Sequence, residues 1–256
     1  MIGSALRGAV LAEWTKFSTV RSTWWALGAT VVLSAALGYL VALSLGGGRA
    51  RGAFDPLFAA FYGLTLAQLA LVTFGVTAVG AEYSAGTIRA SLAAVPRRGV
   101  FYAGKVLAVA LPAAGVSAVA AVAAFLAAQP ALGPRGVGLG APGTVEALVG
   151  GCAYLTLICL FATGVTTMLR GSARALGILM PLLFLGSQGL GNMPQLKPVM
   201  QYLPDQLGMV IIHVSGPPDD PRWARAYGPW TGLALLVVWV TAALVGGYLV
   251  LRRRDA

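Results

Sequence analysis

The sequence predicts an all-α integral membrane protein with six transmembrane helices. A helix lying on the membrane precedes them, a short cytoplasmic helix follows the second span, and an outer segment dips back into the bilayer. Three observations carry this prediction. Of the 256 residues, 58% are apolar and only 10% are charged, whereas charged residues make up about a quarter of an ordinary soluble domain. Six uncharged apolar runs each have the length, about 17 to 25 residues, that crosses roughly 30 Å of hydrocarbon at about 1.5 Å per helical residue. The charges flanking those runs are unequally divided between the two sides. Six spans use about half the chain and leave no room for a large soluble domain, so residues 1–256 read as one transmembrane domain.

The runs are 24–45, 57–81, 106–128, 147–169, 175–191 and 230–251. The fifth is the shortest, contains Pro181, and fades into Gly189, Gly191 and Asn192. It is expected to tilt, kink or pass into a partly inserted segment, and a count of five spans stays open. No fixed-period repeat is visible, nor a likeness between the first three spans and the last three of the kind found in inverted-repeat transporters. With the N-terminus inside, twelve Lys and Arg fall in the cytoplasm, against six outside: Arg49, Arg51, Arg135, Lys197, Arg222 and Arg225. This distribution obeys the positive-inside rule and places both termini in the cytoplasm. The net charge of +10 is accordingly matched to anionic headgroups rather than to nucleic acid.

Residues 1–22 carry Leu6, Val10, Trp14 and Phe17 at three- and four-residue spacing, with Arg7, Lys16 and Ser18 elsewhere on the wheel. That pattern predicts an interfacial amphipathic helix; the plainer reading is a basic tail that only sets topology. Glu13 falls at the edge of the stripe, with Lys16 at i+3 to neutralise it. The connection 82–104 opens with EYSAGTIRASL, too polar to continue the second span. Ser84 is expected to cap a short helix, Ile88 and Leu92 share a face at i, i+4, and Pro96 ends it. Two readings stand: a rigid lever whose apolar pair a partner grips, or a helical loop resting on headgroups through Arg97 and Arg98. In the outer connection 192–229, Val199 to Ile212 is apolar enough to enter the bilayer but too short to cross it. Pro204 and Gly208 should break it in two, and the Pro217 to Pro221 cluster reads as an exposed turn.

Few residues offer chemistry. Cys152 and Cys159 lie about 10 Å apart along one helix, too far for a disulfide, and His213, the only histidine, is read as a polar loop residue. Gly99 to Lys105 spells GVFYAGK, which has phosphate-loop spacing, but position 106 is Val where a magnesium-binding hydroxyl is needed, and no strand precedes it. The common serine-hydrolase and zinc-protease signatures are missing, and no charged residue sits mid-span, which argues against a proton-coupled carrier. Thr65, Gln68 and Thr73 in the second span, with Ser187, Gln188 and Asn192 in the fifth, are the polar candidates for a pathway, each equally readable as an interhelical hydrogen bond.

The order of parts resembles the ABC-2 type permeases of ATP-binding-cassette transporters, in particular the Ala-rich permeases of high-GC Gram-positive bacteria. The resemblance covers nearly the whole chain. It is carried by AEWTKFSTVRSTWW (Ala12 to Trp25), by Glu82, Gly86 and Thr87 followed by Pro96 to Arg98 and Gly104–Lys105, and by YLPDQLG (Tyr202 to Gly208). It implies a permease subunit of an exporter in the bacterial cell membrane, with Ala5 to Arg21 as the elbow helix (Trp14, Lys16, Phe17 and Arg21 among its residues). It further implies that Glu82 to Leu92 forms a coupling helix seated on a cytoplasmic ATPase. There Glu82, Tyr83, Gly86, Thr87, Ile88, Arg89 and Leu92 would transmit the motion: Gly86 permitting the turn, Thr87 capping or touching the partner, Glu82 and Arg89 pairing with its charges. Two ATPase copies and a second permease, identical or paralogous, complete the assembly so implied. ATP and magnesium would reside on the ATPase, with no cofactor or catalytic residue in this chain. The competing readings are a membrane anchor or immunity-type protein that recruits a cytoplasmic partner without transport, and an intramembrane enzyme.

Overall fold

Apolar runs become helices here because lipid offers the backbone no hydrogen-bond partners, so each amide must be satisfied within its own segment. A computed structural model of the chain describes residues 2–46, 55–95, 97–189, 193, 195–215 and 224–254. Helix α1 (Ile2–Thr19) is separated from α2 (Arg21–Gly46) by Val20 alone. Asp55 caps α3 (Pro56–Phe61) by accepting the Leu57 amide at 2.9 Å, and α3 leads through Tyr62 and Gly63 into α4 (Leu64–Ser84). Then come α5 (Ile88–Ala94), α6 (Arg98–Leu132), α7 (Thr144–Leu169), α8 (Ser172–Ser187), α9 (Lys197–Met200), α10 (Pro204–Leu207) and α11 (Pro229–Arg254). Every regular element among the described residues is helical.

Among the described residues five stretches are long and apolar enough to cross a membrane: Arg21–Gly46, Pro56–Ser84, Arg98–Arg135, Thr144–Leu169 and Pro229–Arg253. The core lies along α4, since 67% of its most apolar window is buried, against 28% for Arg21–Gly46 and for Pro229–Arg253. The expected span 175–191 takes the form of α8, 16 residues long and so about 24 Å. It starts with Ser172 packed on Gly80 of α4 and ends with Gln188 accepting a hydrogen bond from Tyr62 at 3.2 Å. Short as it is, α8 therefore runs beside almost all of α4. Gly191 and Asn192 lie outside the described residues, as do Arg49, Arg51, Pro96, Arg222 and the Pro217 to Pro221 cluster.

One end of the bundle collects the basic residues. The C-terminal ends of α4, α7 and α11 meet the starts of α6 and α8 there: Arg98 donates to the Arg252 carbonyl, Tyr102 packs on Tyr248, and the Arg170 guanidinium lies 5.8 Å from the Tyr83 ring centroid. At the opposite end, Arg135 donates to the Leu45 carbonyl at 3.3 Å, and His213 Nδ1 meets Asp55 Oδ2 at 2.8 Å.

Three boundaries differ from expectation. Arg21 opens α2 instead of closing the N-terminal helix. Glu82, Tyr83 and Ser84 complete α4, and Ser84 donates to the Gly80 carbonyl at 3.0 Å instead of capping the next helix, which starts only at Ile88. Helix α6 starts eight residues before the apolar run at 106, so GVFYAGK is one continuous helical stretch and not a loop. A lysine there is compatible with a packed helix because its charge is matched within the fold.

Candidate functional site

The match is a lattice of four charges, three of them buried. Lys105 lies 2.6 Å from Glu13 Oε2 and 2.9 Å from Glu82 Oε2. Both contacts are ion pairs. Lys16 closes the ring by donating to Glu13 Oε1 at 2.7 Å and to Glu82 Oε1, and Ser91 of α5 donates to Glu82 Oε1 at 3.2 Å. The Lys105, Glu13 and Glu82 side chains are 3%, 4% and 8% exposed, whereas Lys16 is 45% exposed. Two carboxylates alternate with two ammonium groups, so the cluster is neutral and each buried charge touches opposite ones, the condition under which burial is tolerated. Burial is the largest influence on Lys16 and draws its pKa down, but Glu13 and Glu82 together outweigh it and leave the ammonium above the usual lysine value.

This lattice fixes how α1 sits. Its inward face is Ala9, Glu13 and Phe17; of the expected stripe Phe17 is buried, Leu6 and Val10 are half-buried with Val10 against the core, and Trp14 is exposed. Glu13 lies on this face because it is drawn to Lys105. Gly104 makes the approach possible, since any Cβ there would strike Ala9. Phe17 packs edge-to-face on Phe74 at 5.9 Å, while Trp14 and Arg21 point outward.

The residues expected on the coupling segment divide into two sets. Glu82 faces the lattice, Ile88 is buried with Phe101, Tyr102 and Leu251, and Leu92 packs against that cluster. The apolar pair expected to be gripped from outside thus serves the chain's own packing, and the Glu82 carboxylate is matched internally. Thr87, Arg89, Ala90 and Ala93 form the outward surface, and Tyr83 is half-buried under Arg170. Gly86 turns the chain at φ 69°, a left-handed conformation that glycine adopts without strain. Thr87 precedes α5 without a side-chain capping bond.

Among the proposed pathway residues, Thr65 and Gln68 are fully buried and Thr73 is half-buried. The Thr65 and Thr73 hydroxyls donate to the carbonyls of Tyr62 and Leu69, and Gln188 is exposed. Gln68 is tied to the Tyr154 hydroxyl at 2.6 Å, and that hydroxyl also lies 3.1 Å from the Asp205 carbonyl. So α4, α7 and α10 meet at one polar knot. Pro204 starts α10 and Gly208 follows it, as the sequence suggested, and residues 204–209 are buried in the bundle. The Asp205 carboxyl sits over Gly186 of α8, with Oδ2 accepting from Gln206 at 2.7 Å and Oδ1 unpartnered. Burial pushes its pKa up to about 7, against smaller lowering effects from Gln206 and Arg225.

The expected pairing of Glu13 with Lys16 is present at 2.7 Å, but sequence reasoning assigned Lys105 only a topological charge and a place in the GVFYAGK and Gly104–Lys105 patterns, with no link to Glu13 or Glu82. The available signal was that Lys105 and Glu13 occupy otherwise apolar helical faces in a chain with only eight acidic residues. Comparison with known protein families gives no match, and no curated protein matches the chain.

Proposed function

We propose that this chain is the permease subunit of an ABC-2 type exporter, coupled to a separate cytoplasmic ATPase. The observation that carries the reading is the mounting of α5. This short helix presents Thr87, Arg89, Ala90 and Ala93 outward, while Ser91, Glu82, Lys16 and Lys105 tie it to α4, α1 and α6. Force applied to such a helix moves the bundle with it, because packed and charge-matched elements shift as bodies and do not deform continuously. In this reading the basic end faces the cytoplasm, α8 completes a sixth traversal, α1 is the elbow and 192–229 forms a partly re-entrant outer cover. A second permease and two ATPases would make the assembly, and the rocking of two bundles would open a path between them.

The test uses the chain in its native membrane. Ala90→Asp with Ala93→Asp alters the outward face of α5 without touching the buried cluster. It should abolish co-purification of an ATPase and ATP-driven export while leaving insertion intact. Full ATP turnover by the assembly carrying both changes removes the coupling role of α5; absence of any ATPase from the wild-type complex favours the anchor reading.

A further inference from the structure

A cleft of about 600 Å³ opens at the basic end between the α4–α5 turn and the α7–α8 turn. Arg89 borders one side and Arg170 and Arg174 the other, with Tyr83, Met168 and Leu169 completing the wall. We propose that this cleft is a binding site for the phosphate headgroup of an anionic phospholipid in the adjoining leaflet. The inference rests on the chain being embedded in a membrane; it assigns Arg89 to lipid and leaves Thr87, Ala90 and Ala93 as the α5 surface of the permease reading.

Charge accounting is the first argument. The carboxylates described at this end, Glu13 and Glu82, are both engaged by Lys16 and Lys105. Among the described residues Arg89 and Arg174 form no salt bridge, so nothing described in the fold matches their charge and an outside anion would. Positioning is the second. Arg174 donates to the Arg170 carbonyl at 3.0 Å, and Arg170 is held over the Tyr83 ring with its backbone at φ 54°, an uncommon conformation for a residue with a side chain. Planar guanidinium forks bind phosphate oxygens two at a time, which a point charge does not. Helix α8 begins at Ser172, two residues after Arg170 of the cleft wall, and the positive end of its dipole favours an anion nearby. The C-terminal ends of α4 and α7 oppose it with their carbonyls, which is why more than one arginine is needed.

Location decides for lipid over a soluble phosphate. The cleft lies where two membrane-length helices end, at the depth of headgroups, where basic pockets between helices collect anionic lipid. Its rim includes Met168, 43% exposed, an apolar edge suited to the glycerol and upper acyl region of a lipid and of no use to inorganic phosphate.

The test is native mass spectrometry of the full detergent-solubilised chain, titrated with phosphatidylglycerol or phosphatidylcholine, with inorganic phosphate as competitor. Wild type should retain one phosphatidylglycerol with about tenfold preference over phosphatidylcholine, the discrimination worth about 1.4 kcal/mol. Arg89→Gln with Arg174→Gln should remove the preference, and Arg7→Gln with Arg21→Gln, which changes two arginines outside the cleft, should keep it. If the double cleft variant misfolds, Arg174→Gln alone must still reduce the preference several-fold. Undiminished preference in the cleft variants overturns the proposal, as does equal retention of the two lipids. Displacement of lipid by low-millimolar phosphate assigns the site to a soluble phosphate ester and also overturns it. Loss of an ATPase partner by the double variant with lipid retention intact would make the arginines a protein interface, a third refutation.

Discussion

Lys105 and Glu13 meet at 2.6 Å although 92 residues separate them, and both side chains are almost completely buried. The contact joins α1 to the start of α6, while the second carboxylate on Lys105, Glu82, brings in the end of α4. Three helices are thus positioned by one ammonium group.

Lys105→Leu should destabilise the fold by about 3–5 kcal/mol, because it leaves two buried carboxylates sharing Lys16. Glu13→Leu combined with Lys105→Leu should cost less than Lys105→Leu alone, since Glu82 and Lys16 then remain as a balanced pair. Thermal transitions in detergent give the comparison; a double variant as unstable as the sum of its parts would mean that the charges are uncoupled.

Asp205 makes the α9–α10 segment sensitive to alkali. Its folded pKa, about 7 through burial, lies above the unfolded value of 3.8, so its contribution is present in full below the unfolded value and is lost as pH rises through about 7. The transition temperature should fall between pH 5 and pH 8 in the wild type, and Asp205→Asn should flatten that dependence. A fall of equal size in the variant would assign the effect elsewhere.

Asp55 behaves oppositely. Burial is the largest influence on it and raises its pKa, yet the His213 contact and charge and the Leu57 and Phe58 amides outweigh that and hold it below 3.8. Its contribution is therefore present above pH 3.8 and is lost as pH falls through the lower folded value. Asp55→Ala should cost about 1 kcal/mol at neutral pH through loss of the cap, and should blunt acid unfolding below pH 4. Melting curves at pH 7 and pH 3 distinguish this from a loss that is the same at both.

Gly208→Ala should displace α10, because the added carbon would collide with the Tyr154 ring. A loss of about 1–3 kcal/mol is expected from overpacking at this site. Gly208→Ala should cost less in a Tyr154→Ala background than in the wild type; an equal cost in the two backgrounds would place the strain away from the ring.

Much of this arrangement was legible in the sequence because lipid imposes a simple rule. The runs 24–45, 57–81, 147–169 and 230–251 fall within two or three residues of helix ends on most sides, since apolar length and backbone satisfaction give the same answer. Pro204 and Gly208 marked the limits of α10 for equally local reasons. Less legible was whatever depended on distant partners. The early start of α6 depends on Lys105 finding Glu13 and Glu82, and neither periodicity nor composition records that meeting. The same long-range pull put Glu13, with Ala9, beside Phe17 on the inward face of α1 and left Trp14 outside, and packing against α6 and α11 turned Ile88 and Leu92 inward. The Asp205 pocket was missed because a carboxyl in a short Pro-led turn looks like any exposed turn residue until Gly186 of another helix is found beneath it.

The beginning of α6 is held by α1 on one flank and, through Arg98 and the Arg252 carbonyl 154 residues later, by α11 on the other. At typical synthesis speeds of about 5–20 residues per second, roughly 8 to 30 seconds separate the emergence of those two residues. The first flank therefore forms on the nascent chain long before the second, and a ribosome stalled between them would leave a bundle clasped on one side only.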